Sequence, residues 1–318
     1  MFFSFIVSLP LYLLLLCTLY RYRNQTPFDR PFFTITFSLG VLDVAHLVVD
    51  WVLGKFPHYG WLGLHKLVML QPTVFAKLYS MLFWYVGVAQ TFGVISMALN
   101  RLSVLGFRKE WSPKVVRGSL LVTYLFPLSM LVPKIFLNYD YMPVNGTGGV
   151  LMYWQDAKWQ WFYFTLCGVW CATVAVVCAI CYAVIMMRLR NHRINQDTGG
   201  SSQRKRASRP KLAEVKLVWI GVVLFVMQAL CSGFCIIMSS TNDAQTAESM
   251  MTAQIVILDI YSWINPYLLL AFSKKTREYV AATLMCKGAN HVVTGTVGRQ
   301  TAHSHRLQQF RATSLHQN

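Results

Sequence analysis

The chain has 318 residues, of which 55% are apolar and only 13% charged, with a positive mean hydropathy and a net charge of +17. A water-soluble globule carries about 25% charged residues, so the composition argues for a chain solvated by lipid rather than by water. A basic surplus in a soluble protein would point to nucleic acid. Here the basic residues cluster between apolar stretches, as in membrane loops, and no nucleic-acid partner is expected.

Seven apolar stretches approach the ~20 residues that cross a bilayer: about 2–20, 32–53, 78–100, 119–136, 159–187, 217–239 and 251–272. The first is read as a span and not as a cleaved signal, because its charges follow the apolar core instead of preceding it; little chain then lies outside before it. Span two holds Asp43, His46 and Asp50, three and four residues apart and hence on one face. Span three runs uncharged to Asn100-Arg101 and holds Trp84 and Tyr85 well inside. Span four contains Pro127 and Pro133, which neighbouring helices can accommodate. Span five has surplus length and a stripe of Cys167, Cys171, Cys178 and Cys181, read as a soft metal site or, more simply, as small polarizable residues that let helices approach. Span seven contains Asp259, Ser262, Asn265 and Pro266, broadly on one side. A short amphipathic helix at about 273–286 ends at Cys286, a palmitoylation candidate. Residues 288–318 read as a disordered tail with scattered histidines and no metal-ligand spacing, so the seven-helix domain occupies 1–287.

Of the 29 Lys and Arg residues, 24 follow spans one, three, five and seven, while Lys55, Lys66, Lys77, Lys134 and Lys158 lie on the other side. The positive-inside rule then places the N-terminus outside and the C-terminus in the cytoplasm. Asn145-Gly-Thr147 falls in an outside loop and fits a glycan acceptor. The basic stretch 188–211, with Ser208 behind Arg204-Lys205-Arg206, falls inside and reads as a lipid-facing patch or a basophilic kinase site.

An ionisable group at the bilayer centre costs about 2.5–3.5 kcal/mol on insertion scales, so such residues face the bundle interior and mark function. If the faces of spans two and seven meet, Asp43, His46, Asp50, Asp259 and Ser262 form one polar seam. Asp43 is then either a hydrogen-bonded core acid or part of an ion- or activation-linked site. Asp50 and Asp259, nearer the outside, either pair structurally or face a ligand cavity. His46 reads as a helix-to-helix hydrogen bonder. Trp84 and Tyr85 either line that cavity with Asp259 or belong with the aromatic belt.

Seven spans, Asn100-Arg101-Leu102, "LGVLD" ending at Asp43, and "INPYLLLAFSKKTREYV" together resemble a heptahelical G-protein-coupled receptor, specifically a nematode serpentine chemoreceptor of the Srg group. The resemblance implies an all-α seven-transmembrane bundle in the plasma membrane or a sensory cilium, with Asn100, Arg101, Asn265 and Pro266 in activation and G-protein coupling. It implies a small-molecule chemical cue as ligand and a heterotrimeric G protein as partner, with no cofactor. Standard parts are missing: span three has no outer cysteine, span six has no proline, and the Asn-Pro motif lacks its final tyrosine. The rival reading is an ion-coupled transporter or channel using the intramembrane Asp and His residues, although no repeat supports it. No nucleophile motif, zinc motif or phosphate loop points to an enzyme.

Overall fold

The computed structural model describes residues 2–26, 28–143, 148–197, 212–240 and 244–285. Asn145, the basic segment around Ser208, Cys286 and the tail 288–318 lie outside the described residues. The helices are α1 (Phe2–Arg21), α2 (Pro31–Val49), α3 (Leu64–Leu70), α4 (Pro72–Arg101), α5 (Pro113–Leu131), α6 (Ala157–Asp197), α7 (Leu212–Ser240), α8 (Ala244–Phe272) and α9 (Lys274–Leu284). The long ones, α1, α2 and α4 to α8, stand where the seven spans are predicted. Among the described residues five helices are long and apolar enough to cross a bilayer outright, Val256–Phe272 joined to α9 makes a sixth, and Phe5–Arg21 is a shorter apolar helix.

Helices start where local chemistry favours them rather than where apolarity begins. Thus α4 and α5 begin at Pro72 and Pro113, ahead of the apolar stretches at 78 and 119. Proline at the first helical position gives up no helical hydrogen bond, and the Ser112 hydroxyl accepts from the Val115 N–H at 3.4 Å to cap α5. At the other end of the bundle the chain turns by 101° between α8 and α9. Ser273 caps α9 by accepting from the Thr276 N–H at 3.2 Å. The Arg277 guanidinium donates to the carbonyls of Leu270 and Ala271 at 2.6 and 2.8 Å, satisfying acceptors that the end of α8 leaves open. Tyr279 then packs edge-on against Tyr22 and Phe28, anchoring α9 to the α1–α2 turn.

The largest core cluster lies toward this end and includes Phe32, Met97, Ile220 and Tyr279. By contrast α5 sits at the periphery, with Leu121 59% and Leu125 57% exposed. In lipid such exposure carries no hydrophobic penalty, because the tails are as apolar as leucine. Polar contacts hold α5 in place instead: Ser119 to Ser96 at 2.7 Å, and the Tyr85 hydroxyl donating to the Tyr124 carbonyl at 3.1 Å.

Two features at the opposite end are absent from the sequence expectations. The first is a π-helical turn, Asp50–Lys55, which carries α2 into a final turn at Phe56–His58. The second is an antiparallel hairpin of β1 (Tyr139–Pro143) and β2 (Val150–Trp154), with Tyr139 opposite Trp154 and Tyr141 opposite Met152. Tyr141 donates its hydroxyl to the Leu53 carbonyl at 2.6 Å, joining the hairpin to the π turn. Gly149 lies so close to the His58 carbonyl that a Cβ there would fall 1.9 Å from the oxygen, so only glycine fits.

Candidate functional site

Three donors from three helices converge on the Asp43 carboxylate. The Tyr12 hydroxyl from α1 donates to Oδ2, the Gln90 amide from α4 to Oδ1 at 2.7 Å, and the Asn265 amide from α8 to Oδ2 at 3.3 Å. All four side chains are buried. A buried carboxylate without a counter-ion needs such donors, since an unsatisfied buried charge is far more costly than a neutral group. Beside this hub, the Ser262 hydroxyl and Asn265 Oδ1 are buried without a hydrogen-bond partner among the described residues.

One turn and more toward the hairpin, the predicted faces of spans two and seven meet again, bridged by a cation absent from the sequence-derived candidates. The Lys55 ammonium lies 2.7 Å from Asp50 and also contacts Asp259, with Trp51 beneath it at 4.7 Å. Tyr79 donates to the remaining Asp50 oxygen at 3.0 Å. Lys55 reads from the sequence as an outside-loop charge, but the π turn swings it back into the bundle, where it is 3% exposed. Gly54 makes room for this arrangement, because a Cβ there would sit 2.8 Å from the Tyr79 hydroxyl. Replacing Gly54 by valine is therefore expected to break the Tyr79–Asp50 hydrogen bond and destabilise the protein by about 1–3 kcal/mol, measured by thermal unfolding of the purified chain.

Lys134 is the second such cation. Its ammonium is fully buried, donating to Ser80 and Tyr139 at 3.2 Å each, with the rings of Trp84, Trp154 and Tyr163 at 4.4, 4.3 and 4.2 Å. Burial pushes the Tyr139 phenol up to about 12. This aromatic box ties α4, the end of α5, the hairpin and α6 together.

Beneath the hairpin lies a cavity of about 370 Å³, a size suited to small molecules. His46, Asp50, Lys55, Tyr79, Phe83 and Trp84 line one side, while Trp170, Gln228 and Tyr261 line the other. His46 lies tilted against Phe83 at 5.0 Å between ring centroids, and its ring nitrogens are buried with only the Gln90 side chain of α4 beside them. Of the residues expected to line a pocket, Trp84 does. Tyr85, one residue on and so rotated by about 100° around α4, turns toward α5. Asp259 reaches the cavity only through Lys55. Cys167, Cys171, Cys231 and Cys235 line its wall, with Cys167 Sγ 3.9 Å from Cys171 and 3.6 Å from Cys235. Among the described residues no group of His, Cys, Asp and Glu is arranged to hold a metal ion.

Arg101 sits at the opposite end of α4. Instead of reaching outward it is 5% exposed, its guanidinium 3.5 Å over the Phe32 ring. The α4 axis ends there in a second π turn, Leu102–Gly106, which leaves Arg101 inside the bundle. The Asn100 amide beside it is buried, without a hydrogen-bond partner among the described residues.

Residues 1–286 match the family described as "Serpentine type 7TM GPCR chemoreceptor Srv". Serpentine receptor class V-1 of Caenorhabditis elegans is 23% identical over 283 residues, covering 86% of this chain and 85% of that protein. The crystal structure of squid rhodopsin superposes with a TM-score of 0.67 at 13% identity, covering 89% of this chain and 82% of the other, and so shows the fold. The matching class is Srv where the motifs resemble its sister Srg; Asp43, Asn100-Arg101 and Asn265-Pro266 are interior features of the shared architecture and carry little that separates sister classes. The chain belongs to the Srv family of serpentine seven-transmembrane chemoreceptors, with the seven-helix fold of G-protein-coupled receptors.

Proposed function

We propose that the chain is a chemosensory receptor that takes a small molecule from outside into the cavity beneath the hairpin and signals to a heterotrimeric G protein at the Arg101 end. The carrying observation is the layout along the bundle. A ligand-sized cavity lies at one end, a buried arginine at the other, and the Asp43 hub joins α1, α2, α4 and α8 between them. This reading takes the N-terminus as outside and the plasma membrane or a sensory cilium as location, following the distribution of Lys and Arg. A ligand drives such a device only by binding two packings with different affinity.

The transporter reading finds less support. Lys55 joins Asp50 and Asp259 into one ion-paired cluster, and Asp43 is saturated by donors, so these acids form closed networks rather than a path of open sites. The test is a cytoplasmic calcium or cyclic-nucleotide response to nematode-derived small molecules in cells expressing the intact chain. Arg101→Ala is expected to abolish that response while leaving the protein at the surface. Ion flux in liposomes containing the purified protein alone would overturn the proposal.

The Asn100 amide also gives a prediction about resting activity. An acid at that position could hold the neighbouring guanidinium as an ion pair, whereas asparagine can only hydrogen-bond. Asn100→Asp is expected to lower ligand-free signalling several-fold, read as basal reporter output normalised to surface expression; equal output from the two proteins would contradict it.

A further inference from the structure

The groups around the cavity divide into charges that are already answered and neutral groups that are not. Lys55 lies between Asp50 and Asp259, and Tyr79 takes a further oxygen of Asp50. Lys134 lies behind the wall, enclosed by Trp84, Trp154 and Tyr163, with no exposed surface. An ionised ligand would surrender its hydration on entering and find no unpaired opposite charge among the described lining residues to replace it.

Two lining side chains are different. His46 is 3% exposed and Tyr261 5%, both line the cavity, the phenol oxygen has no hydrogen-bond partner among the described residues, and the imidazole has only the Gln90 side chain beside it. A neutral imidazole offers one donor and one acceptor, and a phenol offers both. The rest of the wall is chiefly ring surface, from Phe83, Trp84, Phe164 and Trp170. A molecule that displaces solvent there must return a donor and an acceptor at one end and stack along the rest.

We propose that the cavity selects an uncharged, largely apolar or aromatic ligand whose polar head carries both a hydrogen-bond donor and an acceptor, seated on His46 with the Tyr261 hydroxyl as second contact. The proposal rests on the receptor reading above and narrows the class of cue it takes. Carboxylates and free amines of the same skeleton are selected against, by desolvation on entry rather than by a clash.

The test is calorimetric titration of the full chain in detergent micelles with four matched indoles. They are indole-3-acetamide (neutral, donor and acceptor), indole-3-acetate (anion), tryptamine (cation) and 3-methylindole (no polar head). Indole-3-acetamide is expected to bind at least ten-fold tighter than any of the other three. Tyr261→Phe, which removes one oxygen and keeps the ring, is expected to weaken it at least five-fold while leaving 3-methylindole unchanged. His46→Leu is expected to do the same. Preference for the anion would mean that His46 acts as an imidazolium, and preference for the cation would mean that the Asp50–Asp259 pair is open. Either ranking, or unchanged acetamide affinity in the Tyr261→Phe protein, overturns the proposal while leaving the cavity a ligand site. Failure of all four indoles to bind overturns the cavity as a small-molecule site, and the receptor reading loses its carrying observation.

Discussion

Lys55→Met is expected to be among the most damaging single substitutions in the protein. It leaves Asp50 and Asp259 facing each other without their shared cation, in a place where the side chains are only 6% and 9% exposed. Removing one member of a buried ion-paired group costs about 3–5 kcal/mol, because the desolvation already spent on the survivors is no longer offset. The same reasoning makes the fully neutral version informative. Lys55→Met combined with Asp50→Asn and Asp259→Asn removes the charges together, and is expected to recover most of the lost stability. Thermal unfolding of the unmodified chain, Lys55→Met and the triple variant in one detergent measures both effects. A Lys55→Met protein that melts with the unmodified chain would show that the three charges do not act as a unit.

The triad also shows where sequence reading stops. Hydropathy places the seven helices, because in lipid every long apolar stretch must satisfy its own backbone and helix is the ordinary solution. Spacing of three and four puts Asp43, His46 and Asp50 on one face of α2, and the mate of that face on α8 is legible from Asp259, Ser262 and Asn265. The cation that joins two of these acids is not legible. Lys55 lies just beyond the apolar run, and a count of loop charges takes it as solvated. Only the π turn returns it to the interior, and a one-residue change of helical register leaves no mark in composition.

Lys134 is hidden for a related reason. A lysine after Pro133 reads as the edge of a span, and its partners Trp84, Trp154 and Tyr163 are far apart in the chain. The hairpin did leave a signal. Tyr139, Tyr141, Met152 and Trp154 stand at alternate positions of the two strands and pair with one another on one face. The Lys134 box and the Tyr141–Leu53 hydrogen bond hold the loop over the cavity by noncovalent means.

Asp43 is expected to be the other large determinant of stability, since its carboxylate is the common acceptor for Tyr12, Gln90 and Asn265. Hydrogen bonds to a charged group contribute about 1.5–3 kcal/mol each. Asp43→Ala strands all three donors and is expected to cost about 3 kcal/mol or more. Asp43→Asn keeps the shape but offers one acceptor oxygen and turns an N–H₂ group toward at least one donor, so a loss of about 1–3 kcal/mol is expected. Tyr12→Phe removes a single donor and should cost less in an Asp43→Asn background than in the unmodified chain, because the bond it deletes is already weakened there. Thermal unfolding of the two single variants and the double variant forms a cycle that isolates the pair. Strict additivity would mean that Tyr12 and Asp43 do not share a network. Coupling of about 1 kcal/mol or more would identify the carboxylate as the joint between α1, α2, α4 and α8. Any ligand-driven repacking that carries a signal from the cavity toward Arg101 must then either move those helices together or break that joint.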